Sequence, residues 1–350
     1  MRFALALVLG TIGLSAAQAD TAMPDRRLIV TRDMDFYGSD LQALFDTTLG
    51  ACEKLCLENA DCAAFTFNRN AGACFPKSAI SDRVPYEGAV SGQVVVNDPF
   101  VLEQASLRAD DLAFLGSGLI DTSVQEAAAL GVRHAGGQWT VQALRDAADQ
   151  SHSAGNLRDA IHWTGSALAQ SDAPDLWLQY GQWSTQLAGD LKGSDKRKFN
   201  ARARSAAINA YLRATTVPQS QTALLDLAAA LEAEGRGRDM IPALRLAEGF
   251  GARADIAQAL GAAIGKYGFR VREHSVEADS AEPRICAEFS EPLVRAGVDY
   301  GPYVRLPDPR LAVTADDRTI CITGVEHGAR YQLTFRAGLP AASGETLLRD

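Results

Sequence analysis

The 350-residue chain is poor in the patterns on which enzyme chemistry is usually built. None of H-E-x-x-H, G-x-S-x-G or G-x-x-x-x-G-K-S/T occurs in it, which removes the zinc-peptidase, serine-hydrolase and phosphate-loop readings. Gly189-Asp190-Leu191-Lys192-Gly193-Ser194 has suitable residue types at the wrong spacing for a phosphate loop. Histidines number five. His152 and His162 fall ten apart on successive expected helices with no nearby cysteine or paired carboxylate, a poor zinc set, and read as surface or packing residues. His134, His274 and His327 are isolated in sequence. Positive charge is in deficit, with 34 Lys and Arg against 43 Asp and Glu and a net charge of −9, which argues against nucleic acid or anionic lipid as the main partner. Past the first residues no apolar run approaches membrane-spanning length. No catalytic, cofactor or metal residues are therefore expected.

Arg2, the apolar run Phe3 to Leu14 and the small-x-small site Ala17-Gln18-Ala19 read as a signal peptide over 1–19, cleaved between Ala19 and Asp20. No cysteine follows that run, so a lipid anchor is not indicated. The product is expected to be soluble and exported, periplasmic or secreted.

Four of the six cysteines, Cys52, Cys56, Cys62 and Cys74, lie at C-x3-C-x5-C-x11-C spacing in a chain bound for an oxidising compartment. A staple suits that setting better than a metal site. Four thiols allow three pairings, and peptide mapping decides among them. The expected scheme is nested, Cys52 with Cys74 and Cys56 with Cys62, because a helix carrying cysteines at i and i+4 presents both on one face. Bridges over such short loops contribute roughly 2–4 kcal/mol each. Cys286 and Cys321, each within a strand pattern, are expected to pair with one another.

Three segments differ in texture, predicting a multidomain α+β chain. Over 26–98, strand-like Leu28-Ile29-Val30, Ala64-Phe65-Thr66-Phe67 and Val94-Val95-Val96 surround the cysteine-bearing helix, and Asn97-Asp98-Pro99 ends the module. Over 99–266, alanine and leucine recur at helical spacing. Small residues at Ala148, Gly155, Ala160 and Ala167 suggest a tetratricopeptide-like (TPR-like) unit. A second runs from Trp177, Tyr180 and Gly181 to Ala207, Tyr211, Ala214 and Pro218, and a weaker third includes Leu224, Leu227, Ala228 and Gly235. Trp139, Trp163, Trp177 and Trp183 are expected to be packing residues, and the basic stretch Lys192 to Lys198 a solvated loop. Over 267–350 the period becomes two, with alternation at Phe269 and Val271, Ile285 to Phe289, Thr319 to Thr323, and Tyr331, Leu333 and Phe335. This predicts an antiparallel β-sandwich on which Glu288, Glu291 and Asp299 form a solvated edge.

The first module resembles the PAN/Apple family. The likeness is carried by Asp35-Phe36-Tyr37-Gly38-Ser39-Asp40-Leu41, the cysteine spacing, Ala64-Phe65-Thr66-Phe67-Asn68, Cys74-Phe75-Pro76-Lys77 and Ala89-Val90-Ser91-Gly92. It implies a module that binds proteins or carbohydrates without catalysis. The order of leader, PAN module, helical array and strands containing Ile285-Cys286-Ala287-Glu288-Phe289-Ser290-Glu291-Pro292-Leu293 and Gly328-Ala329-Arg330-Tyr331 resembles the amino-terminal region of bacterial alpha-2-macroglobulin family proteins. The last segment would then be an Ig-like, macroglobulin-like domain. Those proteins are periplasmic peptidase traps, many armed with a thioester formed at C-x-E-Q. Cys56-Leu57-Glu58-Asn59 misses that motif: Asn59 is one methylene short and Cys56 is assigned to the staple. The trap's bait segment and later domains do not precede Asp350, so the resemblance implies part of a larger inhibitor. The expected function is thus a non-enzymatic, peptidase-inhibitor-like exported protein meeting proteases or envelope proteins, with carbohydrate a further ligand of the PAN module. The alternative is a free-standing binding or scaffold protein using the PAN module and the helical surface.

Overall fold

The computed structural model describes residues 23–350; the expected signal peptide and its Ala19/Asp20 cleavage site lie outside them. The amino-terminal module comprises β1 (Arg26–Asp40), α1 (Leu49–Glu58), β2 (Ala64–Asn68) and β3 (Ala73–Val96). β3 is far longer than Val94 to Val96 alone and bends through its length into two arms. β2 lies between them, Ala64 opposite both Lys77 and Gln93, and Asn68 opposite both Ala73 and Ala89. Partner numbers fall as β2 rises, so both pairings run antiparallel. β1 pairs with both arms as well, Arg26 opposite Val96 and Asp40 opposite Lys77. The strand segments therefore close into a ring, which removes most free edge. Leu28, Val30, Phe65, Phe67 and Val90 fill it. Gly92 is required there, since a Cβ would lie 2.3 Å from the Phe65 ring.

Thr48 caps α1, its side chain accepting from the Ala51 N–H at 3.2 Å. The bridges Cys52–Cys74 and Cys56–Cys62, with Cα separations of 5.7 and 5.2 Å, fasten this helix to β3 and to the turn before β2. Arg26 donates to the carbonyls of Leu57 and Asn59 at 2.8 and 2.7 Å and to that of Cys62, satisfying acceptors at the end of α1.

Asp98 caps the next helix and Pro99 begins it. The helical region runs α2 (Pro99–Asp111), α3 (Ser117–Ala128), α4 (Leu130–Arg133), α5 (Val141–Ser153), α6 (Leu157–Ser171), α7 (Pro174–Asp190), α8 (Gly193–Arg213), α9 (Val217–Ala233), α10 (Met240–Gly249) and α11 (Ala254–Tyr267). Ala148, Ala160 and Ala167 are fully buried where α5 meets α6, and Gly155 turns between them at φ +80°. The Lys192 to Lys198 stretch is not a loop: Lys192 is the N-cap position and the rest forms the first turns of α8. α8 is central, buried from Phe199 to Leu212 except at Ala201 and Arg202. Several of its buried polar groups find partners: the Asn209 amide donates to Ser123 O at 2.7 Å, and Arg204 and Arg213 pair with Glu234 and Asp172, each at 2.6 Å, although Arg204 Nε is buried without a partner. Trp177 is buried and Trp163 and Trp183 pack against the core, whereas Trp139 is 52% exposed, contrary to its expected packing role.

The module and the helices are docked. Arg27 donates to Ala169 O and Gln170 O at the end of α6. The N–H groups of Gly136 and Gly137 bond Val30 O at 3.2 and 3.1 Å. Gly131 and Gly137 bring the backbone so close that a Cβ would meet Leu28 O at 2.2 Å and Thr31 Oγ1 at 2.3 Å.

The last region contains β4 (Val271–Glu277), β5 (Arg284–Phe289), β6 (Val304–Arg305), β7 (Ala312–Asp316), β8 (Thr319–Thr323) and β9 (Thr334–Phe335). β4-β5-β8-β7 form one antiparallel sheet and β6-β9 a short ribbon, sharing a core of Phe269, Phe289, Ile320 and Ile322. Tyr331 and Leu333 are not strand residues as alternation suggested; the Tyr331 hydroxyl instead accepts the Glu326 N–H, holding the turn at Gly328. Cys286 and Cys321 face one another across β5 and β8 and are bridged. Glu291 is not on a solvated edge: it is 7% exposed and pairs with Arg238 from the helical region, which also lies 3.5 Å from Glu345. Glu288 and Asp299 do remain outward, Glu288 4.0 Å from Arg272 and Asp299 accepting the Gly301 N–H at 2.9 Å.

Candidate functional site

At Ala63, just before β2, the two arms of β3 part. Between Ile80–Arg83 on one arm and Gln93–Val94 on the other lies an open groove of about 620 Å³. Both arms are held by β1, which pairs Phe36 with Arg83, Tyr37 with Asp82 and Ile29 with Gln93. The groove is therefore a gap in a rigid ring.

Arg83 crosses it. Its guanidinium lies 4.7 Å over the buried Phe36 ring and donates to Gln93 Oε1 at 2.7 Å. That bond uses one of its five N–H donors. Ser81, Asp82 and Gln93 add a hydroxyl, a carboxylate and an amide. Tyr37, opposite Asp82, is half exposed, as is Tyr86 near the same bend. The groove's planar hydrogen-bonding groups suit polar ligands with vicinal hydroxyls or a peptide backbone, and neither tyrosine is among its lining residues. The groove holds no nucleophile–base pair. The same α1 contains Glu53, whose Oε1 is buried without a hydrogen-bond partner; burial pushes its carboxyl up to about 7.

His152 and His162, read from the sequence as surface or packing residues, lie in separate contacts. His152 stacks on Trp183 at 4.7 Å and bonds Gln186, while His162 meets His134, the two Nδ1 atoms 3.2 Å apart. His134 Nε2 in turn bonds the Tyr180 hydroxyl at 2.9 Å. His134 is 5% exposed, and burial, reinforced by Arg202, His162 and Arg133, pushes its imidazole down to about 2. Burial also lowers His162 and raises Tyr180. Burial thus favours the neutral imidazole at both histidines. Gly165 of α6 makes room for the His134 ring, as sequence spacing alone does not show. His274 sits on the edge strand β4 and His327 in the turn after β8. Among the described residues no group of His, Cys, Asp and Glu is arranged to hold a metal ion. The thioester near miss is spent: Cys56 is bridged, and Asn59 accepts the Asp61 N–H with its side chain.

The decisive features are a ring of strands crossed by a twice-bridged helix. Residues 28–96 match the PAN domain. Over 52 residues the chain is also 33% identical to the putative receptor protein kinase ZmPK1 of Zea mays, a stretch that is 15% of this chain and 6% of that protein's length. No solved structure matches the chain. The PAN domain thus accounts for the ring and α1, and the helices and carboxy-terminal strands lie beyond it. No helix among the described residues is long and apolar enough to cross a membrane.

Proposed function

We propose that this chain is an exported, non-enzymatic binding protein whose PAN domain takes a protein or carbohydrate ligand in the groove between the arms of β3. The observation that carries this reading is Arg83, held over Phe36 and bonded to Gln93 inside a gap of the domain's strand ring. A group so restrained loses little freedom when a guest binds. The helical array serves as the rigid body that presents the domain and as a second partner surface. Three disulfides support passage through an oxidising compartment. The test is a glycan array together with capture of envelope proteins, using the intact chain and Arg83→Ala. Binding reduced at least about tenfold by the substitution supports the groove; equal binding by both forms sinks it.

A second reading, the amino-terminal part of an alpha-2-macroglobulin-like endopeptidase inhibitor, is supported by the order of segments and by the place of Phe289-Ser290-Glu291-Pro292. That strand end is where the carboxy-terminal sheet meets Arg238 of the helical array. Immunoblotting the native product in the periplasmic fraction tests it. A band several times the chain's size favours the inhibitor, and a band at the chain's own size removes it.

A further inference from the structure

Along one side of the helical array, crevices between alternate helices are spanned by side chains. Arg145 reaches Asp175 at 2.8 Å and Gln179 reaches Asp149 at 3.2 Å, joining α5 to α7. Gln182 reaches Asp226 at 3.0 Å, joining α7 to α9. The crevice between α9 and α11 differs. Its bridges stand at the two ends: Arg253 to Thr222 at 2.9 Å, and Lys266 and Tyr267 to Glu232 at 3.0 and 2.7 Å. Between them a groove of about 300 Å³ remains open. Its outer walls are Ala229, Ala259 and Ala262, with Ala228, Ala263 and Met240 buried beneath. Alanine cannot span the gap, so apolar surface stays accessible where a solvated helix face usually carries charge.

Asp226 and Glu232 line this groove. Lys266 is bonded to Glu232, and Arg253, whose charge also bears on Asp226, is paired with Asp255, so Asp226 accepts from the neutral Gln182 amide and has no cation paired with it among the described residues. We infer that the α9–α11 groove binds an extended peptide segment in which an aliphatic side chain enters the alanine-walled middle and an adjacent lysine or arginine pairs with Asp226. The volume is at the small end of ligand sites, roughly 300–1,000 Å³, and fits a side chain rather than a whole helix. The net charge of −9 favours encounter with a cationic segment. The inference deepens the reading of the helical array as a partner surface. Its test is separable from that of the PAN groove, because the variants leave Arg83 and Gln93 untouched.

The probe is a cellulose-bound array of hexapeptides, Gly-Ser-X-Z-Ser-Gly, with X and Z running over all residues, overlaid with the intact chain at 0.15 M salt. Aliphatic–basic pairs should bind, and Asp226→Asn and Ala262→Trp should each reduce their signal at least about tenfold, with circular dichroism showing both variants folded. Ala229→Gln is a second blocking variant should Ala262→Trp perturb the helix. Signal that tracks positive charge alone and survives the blocking variant is non-specific attraction to an acidic protein and overturns the inference. Selection of other residue pairs, or no signal, overturns it too.

Discussion

Replacing Gly165 by alanine is a sharp test of the buried histidine network, because the same change elsewhere in the array has the opposite sign. In an exposed helix Gly→Ala stabilises by up to about 1 kcal/mol. At Gly165 the new Cβ would lie 2.3 Å from His134 Cδ2, 2.6 Å from Cγ and 2.8 Å from Nε2. Admitting it moves the ring by more than about 1 Å, yet the ring is buried and held by His162 on one side and Tyr180 on the other. Overpacking costs roughly 1–3 kcal/mol. Stranding buried polar atoms costs roughly 1–3 more. Set against the propensity gain, Gly165→Ala should destabilise by about 3 kcal/mol. Gly261 in α11 is exposed, with nothing within 4 Å of an added Cβ, and Gly261→Ala should be neutral to stabilising. Urea unfolding followed by tryptophan fluorescence reads the right region, since Trp163 lies 4.9 Å from His162 and Trp177 6.2 Å from Tyr180. A Gly165→Ala protein as stable as Gly261→Ala would refute the placement of His134.

Three further outcomes are expected. His134 titrates lower in the fold than in the unfolded chain, so stability present above about pH 6.5 is lost as pH falls, by about 2 kcal/mol at pH 5; His134→Gln should flatten that dependence of the urea midpoint. Glu53 has the opposite sign: its raised carboxyl binds a proton in the fold, and stability should fall as pH rises from about 4.5 through 7. Glu53→Gln should therefore be the more stable form at pH 8, and equal midpoints would contradict the burial of Oε1. Arg27→Ala should cost on the order of 2 kcal/mol through its lost bonds to α6 and speed hydrogen exchange at Gly136 and Gly137; unchanged exchange would mean the docking does not depend on it.

The PAN domain is legible in the sequence because its determinants are local. Cysteine spacing, a capped helix and short alternating runs fall within seventy residues, so pattern and contact coincide. The helical texture of 99–266 is legible for the same reason, through alanine and leucine recurring along each helix. α8 is less so. Asn200, Arg204, Ser205, Asn209 and Arg213 mark it as a surface helix by composition, yet partners far off in the chain bury them. Lys192 to Lys198 reads as a loop because charge hides helix continuity, although Asp195 in the first turn suits a helix start. Glu291 reads as solvated because Arg238, fifty-three residues earlier, is invisible to any local pattern. The PAN groove was missed outright. It depends on the bend in β3, and nothing in 78–94 signals that Arg83 and Gln93 meet across it.

Arg26 and Arg27 show how much of the assembly rests on one such non-local device. On an extended strand consecutive side chains point to opposite sides. Arg26 therefore turns into its own domain and satisfies carbonyls at the end of α1, while Arg27 turns outward and satisfies carbonyls at the end of α6. A guanidinium suits both places, because a helix end offers clustered acceptors and partial negative charge. At the other end of the array Arg238 bonds Tyr267 O, the last residue of α11, while reaching Glu291 and Glu345 in the region that follows. Each junction thus pairs an arginine with acceptors that a helix terminus must expose anyway. The PAN domain, the helical array and the carboxy-terminal sheet are consequently joined by bonded arginines at helix ends rather than by loose tethers.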